Sequence, residues 1–242
     1  MFRLLYFVLF LIVTLIGSLP ALRKSRKVNE EWTVAERDQQ MHQLPKRWAR
    51  SVVKSTGSTV DIQGQEHIPN GPVLFICNHE GDFDVPALLG HIDKPFGFIS
   101  KVEVKKVPVV RDWMDVIGCI YINRNNRRDA VKMLRDGADK LKAGHSLLIF
   151  PEGTRSLGGE MKAFKSGGFR IAKDANVPIV PVVIKGTSDM FEKNNRKKVT
   201  PGHVQIQILP AVSADIFEEY ELKDVAEMTQ KKIQEALDQM KK

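Results

Sequence analysis

The sequence predicts an α/β domain, a mixed, largely parallel sheet covered by helices, preceded by an N-terminal helical membrane anchor. Three observations predict it. Short apolar runs rich in Val and Ile recur between Gly, Pro or Asn residues. Helical patterns lie between those runs. The runs are apolar at nearly every position, so each strand needs cover on both faces, which strand–helix–strand connections supply.

The first element is the nearly unbroken apolar run from Leu4 to Leu19, followed by Arg23, Lys24, Arg26 and Lys27. Crossing a bilayer takes about 20 apolar residues, and Leu4 to Leu22 approaches that length. A cleaved signal peptide would carry its basic residues ahead of the apolar core, where only Arg3 stands. A buried amphipathic helix would show a polar face, and none interrupts the run. The basic residues that follow predict a cell-membrane protein whose remaining chain lies on the cytoplasmic face.

Residues 1–55 therefore read as membrane-anchoring helices and 56–242 as the α/β domain. Within the first part, Leu44, Trp48 and Val52 share a helical face, which Pro45 interrupts. Trp32 and Trp48 beside Lys46, Arg47, Arg50 and Lys54 suit a helix in the headgroup region. Packing of that helix on its own domain fits the same pattern equally well.

The predicted strands are Val60–Ile62, Val73–Cys77, Phe96–Ile99, Cys119–Ile122, Leu147–Phe150, Ile179–Ile184 and Val204–Leu209. The clearest helix is Asp129–Lys142, with Ala130, Met133, Leu134, Ala138 and Leu141 on one face and Gly144 placed to stop it. Phe164–Asn176 and Lys223–Met240 are the others. With 43% hydrophobic and 27% charged residues the chain is globular. Cys77 and Cys119 sit in apolar runs, as reduced core thiols do. A net charge of +8 suits anionic partners, and by itself does not choose between nucleic acid, an anionic membrane surface and phosphorylated ligands.

Ligands of such sheets gather beyond the carboxyl ends of the strands. Three runs end in polar turns: "VLFIC" in "NHEGDFD", "GCIYI" in "NRNNR" and "LLIF" in "PEGTR". If those strands are parallel neighbours, one rim holds His79, Asp82, Asp84, Asn123, Arg124, Glu152 and Arg155. That set contains one base active near neutral pH, carboxylates to orient it, and two guanidiniums suited to an anion. His79 and Asp84 are five residues apart and meet only if the chain turns, which Gly81 permits. Asp82 is the alternative partner, and spacing alone does not rank the two.

Plainer readings stand beside these. Arg124 also fits a solvated basic face with Arg127 and Arg128, and Glu152 also fits an ion pair with Arg155. Cys77, next to Asn78, reads as inert packing. His42, His67, His91, His145 and His203 read as incidental, and no cluster has metal-ligand spacing. The stretch Lys105–Gly118, with Val110, Trp113 and Met114, fits either the border of an apolar groove near a lipid surface or ordinary core packing.

These motifs resemble a known family. "NHEGDFD" matches the N-H-x-x-x-x-D block of the glycerolipid acyltransferases, and "FPEGTRS" matches their F-P-E-G-T-R-S block. "GCIYINR" resembles their G-x-x-F-I-x-R block and "VPIVPVVI" their closing V-P-[IV]-[IV]-P segment. The blocks stand in the family's order between about Val60 and Lys185, and the branch most resembled is the bacterial 1-acyl-sn-glycerol-3-phosphate acyltransferases. Two positions depart: Gly81 stands where Ser is common, and Asn123 where Asp is common.

The resemblance implies the glycerolipid acyltransferase fold and transfer of a fatty acyl group to the sn-2 hydroxyl of lysophosphatidate, giving phosphatidate. His79 is then the general base, oriented by Asp84 rather than Asp82. Arg155, Arg124 and Lys101 hold the acceptor's phosphate, and Glu152, Gly153 and Thr154 shape its pocket. The implied co-substrate is acyl-CoA or acyl carrier protein, with no cofactor, no metal and no nucleic acid. The expected partners are lysophosphatidate, the acyl thioester donor, an anionic membrane surface and acyl carrier protein. The alternatives are another lysolipid or glycerol 3-phosphate as acceptor, or a non-catalytic basic membrane adaptor.

Overall fold

The computed structural model describes residues 2–25, 31–123 and 126–240. Arg26 and Lys27 of the basic run, and Arg124, lie outside the described residues. Every apolar run predicted as a strand is one: β1 (Thr59–Gln63), β2 (Leu74–Cys77), β3 (Gly97–Lys101), β4 (Ile120–Ile122), β5 (Leu147–Ile149), β6 (Ile179–Lys185) and β7 (His203–Ile208). They form one sheet in the order β1-β7-β6-β2-β5-β3-β4. Among the described strand pairs, only β6–β7 is antiparallel. The strands β2, β3, β4, β5 and β6 therefore all point their carboxyl ends the same way.

The helices are α1 (Phe2–Gly17), α2 (Leu19–Ser25), α3 (Val34–Ser55), α4 (Asp84–His91), α5 (Pro108–Val116), α6 (Arg127–Lys142), α7 (Arg170–Ala175), α8 (Ile216–Glu219) and α9 (Leu222–Gln239). Alternate residues of β2 feed two cores, as the pleat requires. Phe75 and Cys77 join Ala49, Val52, Leu88 and Met114 under α3, α4 and α5. Leu74 and Ile76 join Leu141, Ile171, Val225 and Ile233 under α6, α7 and α9. The stretch Phe164–Asn176 divides into a 3-10 turn, Ser166–Phe169, and α7, which ends on left-handed Asn176 at φ 53°.

At the amino end, α1 and α2 meet at a 43° bend. Among the described residues no single helix is long and apolar enough to cross a membrane; this bent pair passes only when taken together. Leu4, Phe7, Phe10 and Leu11 pack on the domain, and the Phe7 ring lies 5.4 Å from that of Phe83. Trp48 Nε1–H donates to Thr14 Oγ1 at 3.0 Å, and Trp113 Nε1–H to Ser18 Oγ at 2.9 Å. The opposite face, with Leu5, Leu9, Ile12, Val13 and Ile16, is exposed. Helix α3, opened by a Thr33–Glu36 capping box, buries Ala49, Val52 and Val53 and carries Pro45 within it. Of the two readings of its apolar face, packing on its own domain is the one observed.

Candidate active site

Strand β2 ends at Cys77, and Asn78 extends its pairing with β6 through a side chain. Asn78 Nδ2–H donates to the Ile184 carbonyl at 2.8 Å, and Oδ1 accepts from the Ile184 amide at 2.9 Å. An amide side chain reproduces both groups of a peptide, so the ladder stays satisfied while the backbone leaves the sheet at His79.

The turn that follows wraps around one carboxylate. Asp84 Oδ2 lies 2.6 Å from His79 Nδ1 and accepts from the Glu80 and Gly81 amides at 2.7 and 3.0 Å. Asp84 Oδ1 accepts from Thr187 Oγ1–H. Asp84 is fully buried and is the first residue of α4, where a helix N-terminus favours negative charge. With Nδ1 engaged, Nε2 is left for the cleft that His79 lines. The imidazole stacks on Phe150, centroids 3.9 Å apart and planes 16° apart, which holds the ring plane.

Asp82 has a different partner. It pairs with Arg155 and stands 3.6 Å from Arg196. Its amide donates to Glu192 Oε1 at 2.7 Å. The Glu192 carboxyl packs directly on Gly81, where a Cβ would come within 2.5 Å of Oε2. Burial pushes the Glu192 carboxyl above its ordinary range.

The turn after β5 is bonded to the turn after β2. The Ser156 amide donates to the His79 carbonyl at 2.8 Å, and the Leu157 amide to the Glu80 carbonyl at 3.0 Å. Glu152 is turned inward and ties the two together: Oε1 accepts from the His79 amide at 2.7 Å and Oε2 from the Lys162 amide at 2.9 Å. Gly153 follows at φ 70°, a left-handed position, and a Cβ there would stand 2.9 Å from Lys165 Nζ. Burial raises the carboxyl pKa of both Glu152 and Glu80. The Arg155 guanidinium is pushed down, by burial first and by neighbouring Arg196 next.

These groups surround a cleft of about 550 Å³, lined among others by His79, Asp82, Lys101, Thr154, Arg155 and Lys165. It shares Val85, Phe98, Ser100 and Val104 with an apolar cavity of about 290 Å³. Trp48 of α3, Leu89 of α4 and Val110, Trp113 and Met114 of α5 wall that cavity. Among the described residues no group of His, Cys, Asp and Glu is arranged to hold a metal ion.

The structure thus brings together His79, Asp84, Asp82, Gly153, Thr154, Arg155 and Lys101, with Glu152 directly behind them. Glu152 does not pair with Arg155, because its oxygens are taken by backbone amides. Cys77 is fully buried and its thiol is pushed well up by burial, so it is no nucleophile. His145 and His203 meet carboxylates, Asp38 at 2.8 Å and Asp61 at 3.3 Å, but neither lines the cleft. Sequence reasoning missed Phe150 as a stacking partner, Lys165 in the cleft wall, and the downstream residues Thr187, Glu192 and Arg196. Thr187, Glu192 and Arg196 lie more than a hundred residues beyond His79 in the chain, which leaves no local signal.

Comparison with known proteins covers the same region. Residues 59–185 match a family model described as Acyltransferase. The chain is 37% identical, over 63% of its length and 46% of the relative's, to a 1-acyl-sn-glycerol-3-phosphate acyltransferase of Chlamydomonas reinhardtii. It is 34% identical to a probable 1-acyl-sn-glycerol-3-phosphate acyltransferase of Mycoplasma pneumoniae, over 58% of the chain and 54% of the relative. The chain spans about half the length of these curated relatives. The crystal structure of the 1-acyl-sn-glycerophosphate acyltransferase PlsC from Thermotoga maritima superimposes with a TM-score of 0.86 at 26% identity, covering 99% of this chain and 95% of that one.

Proposed function

The chain belongs to the acyltransferase family, and on that premise we propose that it moves a fatty acyl group from acyl-CoA or acyl carrier protein to the sn-2 hydroxyl of 1-acyl-glycerol 3-phosphate. The product is phosphatidate for phospholipid synthesis. The observation that carries this reading is the His79–Asp84 pair in the same cleft as Arg155.

In the proposed mechanism His79 Nε2 takes the proton of the acceptor hydroxyl while Asp84 keeps Nδ1 protonated and steadies the imidazolium that forms. The hydroxyl oxygen attacks the thioester carbonyl. The tetrahedral intermediate then collapses, breaking the carbon–sulfur bond, and the thiolate takes the proton back from His79. A thioester is already activated, so neither an acyl-enzyme nor a cofactor is required. Arg155, Lys101 and Arg124 hold the phosphate, and Gly153 and Thr154 form the pocket wall. Glu152 keeps the two turns in register from behind. The apolar cavity under α5 takes an acyl chain.

The same reading places the protein at a cell membrane with its domain on the cytoplasmic face. It is supported by the exposed apolar face of α1, by Arg23 and Lys24 in the last turn of α2, and by the net charge of +8. The two tryptophan N–H bonds to Thr14 and Ser18 suit α1 and α2 lying against the domain rather than standing free in the bilayer.

The test is an acyl-transfer assay of the purified protein in detergent, with both donor types and a panel of lysolipids plus glycerol 3-phosphate. Phosphatidate formation from lysophosphatidate is the expected result. Transfer to a phosphate-free acceptor, or none at all, contradicts it.

A further inference from the structure

The Asp82 carboxylate stands between two guanidiniums, and only one of them is in the proposed acceptor site. Oδ1 pairs with Arg155 Nη1, and Oδ2 lies 3.6 Å from Arg196 Nη2. Arg196 Nη2 also lies 4.0 Å from Glu192 Oε1, which accepts the Asp82 amide hydrogen at 2.7 Å. Asp82 is thus fixed by its backbone, and its side chain is 45% exposed at the cleft wall; the Arg196 side chain, on the far side of that carboxylate, is 43% exposed.

The loop carrying Arg196 is built to present it to Asp82. Asn195 and Arg196 are consecutive left-handed residues, at φ 52° and 57°, a conformation that bulky side chains rarely adopt. Backbone bonds hold it: the Asn195 amide to the Glu192 carbonyl at 3.0 Å and the Arg196 amide to the Phe191 carbonyl at 3.1 Å. Side-chain partners of Arg196 lie on Asp82 and Glu192, both of which meet the His79 turn.

Two guanidiniums, those of Arg155 and Arg196, converge on the single exposed carboxylate of Asp82. A phosphate monoester carries about −1.5 to −2 charges near neutral pH and three acceptor oxygens, which match two guanidinium forks better than a carboxylate does.

We propose that Arg196 is a second phosphate-binding residue of the acceptor site, and that Asp82 is an internal counter-ion which holds Arg196 and Arg155 until an acceptor's phosphate monoester displaces it. This rests on the lysophosphatidate reading above and adds a selectivity rule to it. A phosphodiester headgroup, with a single negative charge, has no electrostatic advantage over Asp82. A monoester dianion has one. The cleft therefore favours monoester acceptors over diesters.

The experiment measures acceptor KM and kcat at saturating acyl donor, with 1-acyl-glycerol 3-phosphate as monoester and lysophosphatidylglycerol as diester. Arg196→Gly removes the charge and accepts the left-handed backbone without strain. It is expected to raise the monoester KM about tenfold, the effect of one charged hydrogen bond, while kcat holds. Arg196→Lys restores part of the loss. Asp82→Asn is expected to lower the monoester-to-diester ratio of kcat/KM at least about fivefold, since the diester no longer competes with a fixed carboxylate.

A wild type that uses lysophosphatidate while Arg196→Gly leaves its KM unchanged overturns the assignment of Arg196 alone. A fall in kcat and thermal stability at unchanged KM does the same, by making Arg196 a structural ion pair. A wild type that does not use lysophosphatidate at all removes the function reading, and this inference with it.

Discussion

His79 Nδ1 and Asp84 Oδ2 stand 2.6 Å apart, and the carboxylate in that contact is sealed from solvent by its own turn. Two backbone amides and the Thr187 hydroxyl take its remaining acceptor capacity. The arrangement fixes one imidazole tautomer. Asp84→Asn keeps the size of the side chain and removes the acceptor that enforces the tautomer. It should lower kcat by about 10²–10⁴-fold, the range of a general base's contribution, with acceptor KM little changed. Single-turnover kinetics with a circular dichroism check on folding measures it. A variant that turns over normally contradicts the pairing's role.

The apolar cavity beside the cleft predicts chain-length control. Val110 and Met114 both wall it, and Met114 is buried. Val110→Phe and Met114→Trp fill the cavity and should shift preference toward shorter acyl chains in a competition among donors and acceptors of graded length. An unchanged preference in folded variants makes this side of α5 ordinary core packing.

The outer face of α1 predicts membrane binding that is separable from folding. Ile12 and Val13 are 50% and 59% exposed, so lysine there costs the domain little. Burying one such side chain in lipid contributes about 1.5–3 kcal/mol, so each change should weaken vesicle binding about tenfold or more. Sedimentation with vesicles containing phosphatidylglycerol reads this directly. Equal binding by wild type and Ile12→Lys, Val13→Lys protein rejects α1 as the membrane contact.

Glu192 predicts a pH dependence of stability. Its carboxyl is raised above the ordinary 4.5, with burial the largest cause. The folded state then holds this proton more tightly than the unfolded chain. The resulting stability is complete below about pH 4 and is lost as pH rises through the folded value. Glu192→Gln does not titrate, so it should gain on the wild type as pH rises from about 4 to about 8. Urea unfolding across that range measures the difference. A gap between the two proteins that stays constant with pH contradicts the raised value.

Much of the fold was legible because the central strands β2, β5 and β6 are buried on both faces, and a short apolar run is a local signal. The convergence of the turns after β2 and β5 also followed, since those strands pair in parallel. Helices α4 and α5 were not foreseen: at 8 and 9 residues they are too short to establish a period. The choice between Asp82 and Asp84 was not legible from spacing, because it depends on a turn wound around a buried carboxylate. Glu152 and Arg155 are spaced as an ion pair, yet backbone amides claim the first and Asp82 the second. The apolar faces of α1 and α3 were both visible, but only the packing tells that α3 spends its face on its own domain.

The most direct test of the account is the rate of phosphatidate formation by His79→Ala beside the wild type, with lysophosphatidate binding measured on the same samples. The imidazole is assigned to proton transfer and not to holding the phosphate. Turnover should therefore collapse while lysophosphatidate still binds with near wild-type affinity. A His79→Ala protein that forms phosphatidate at the wild-type rate would show that the chemistry lies elsewhere.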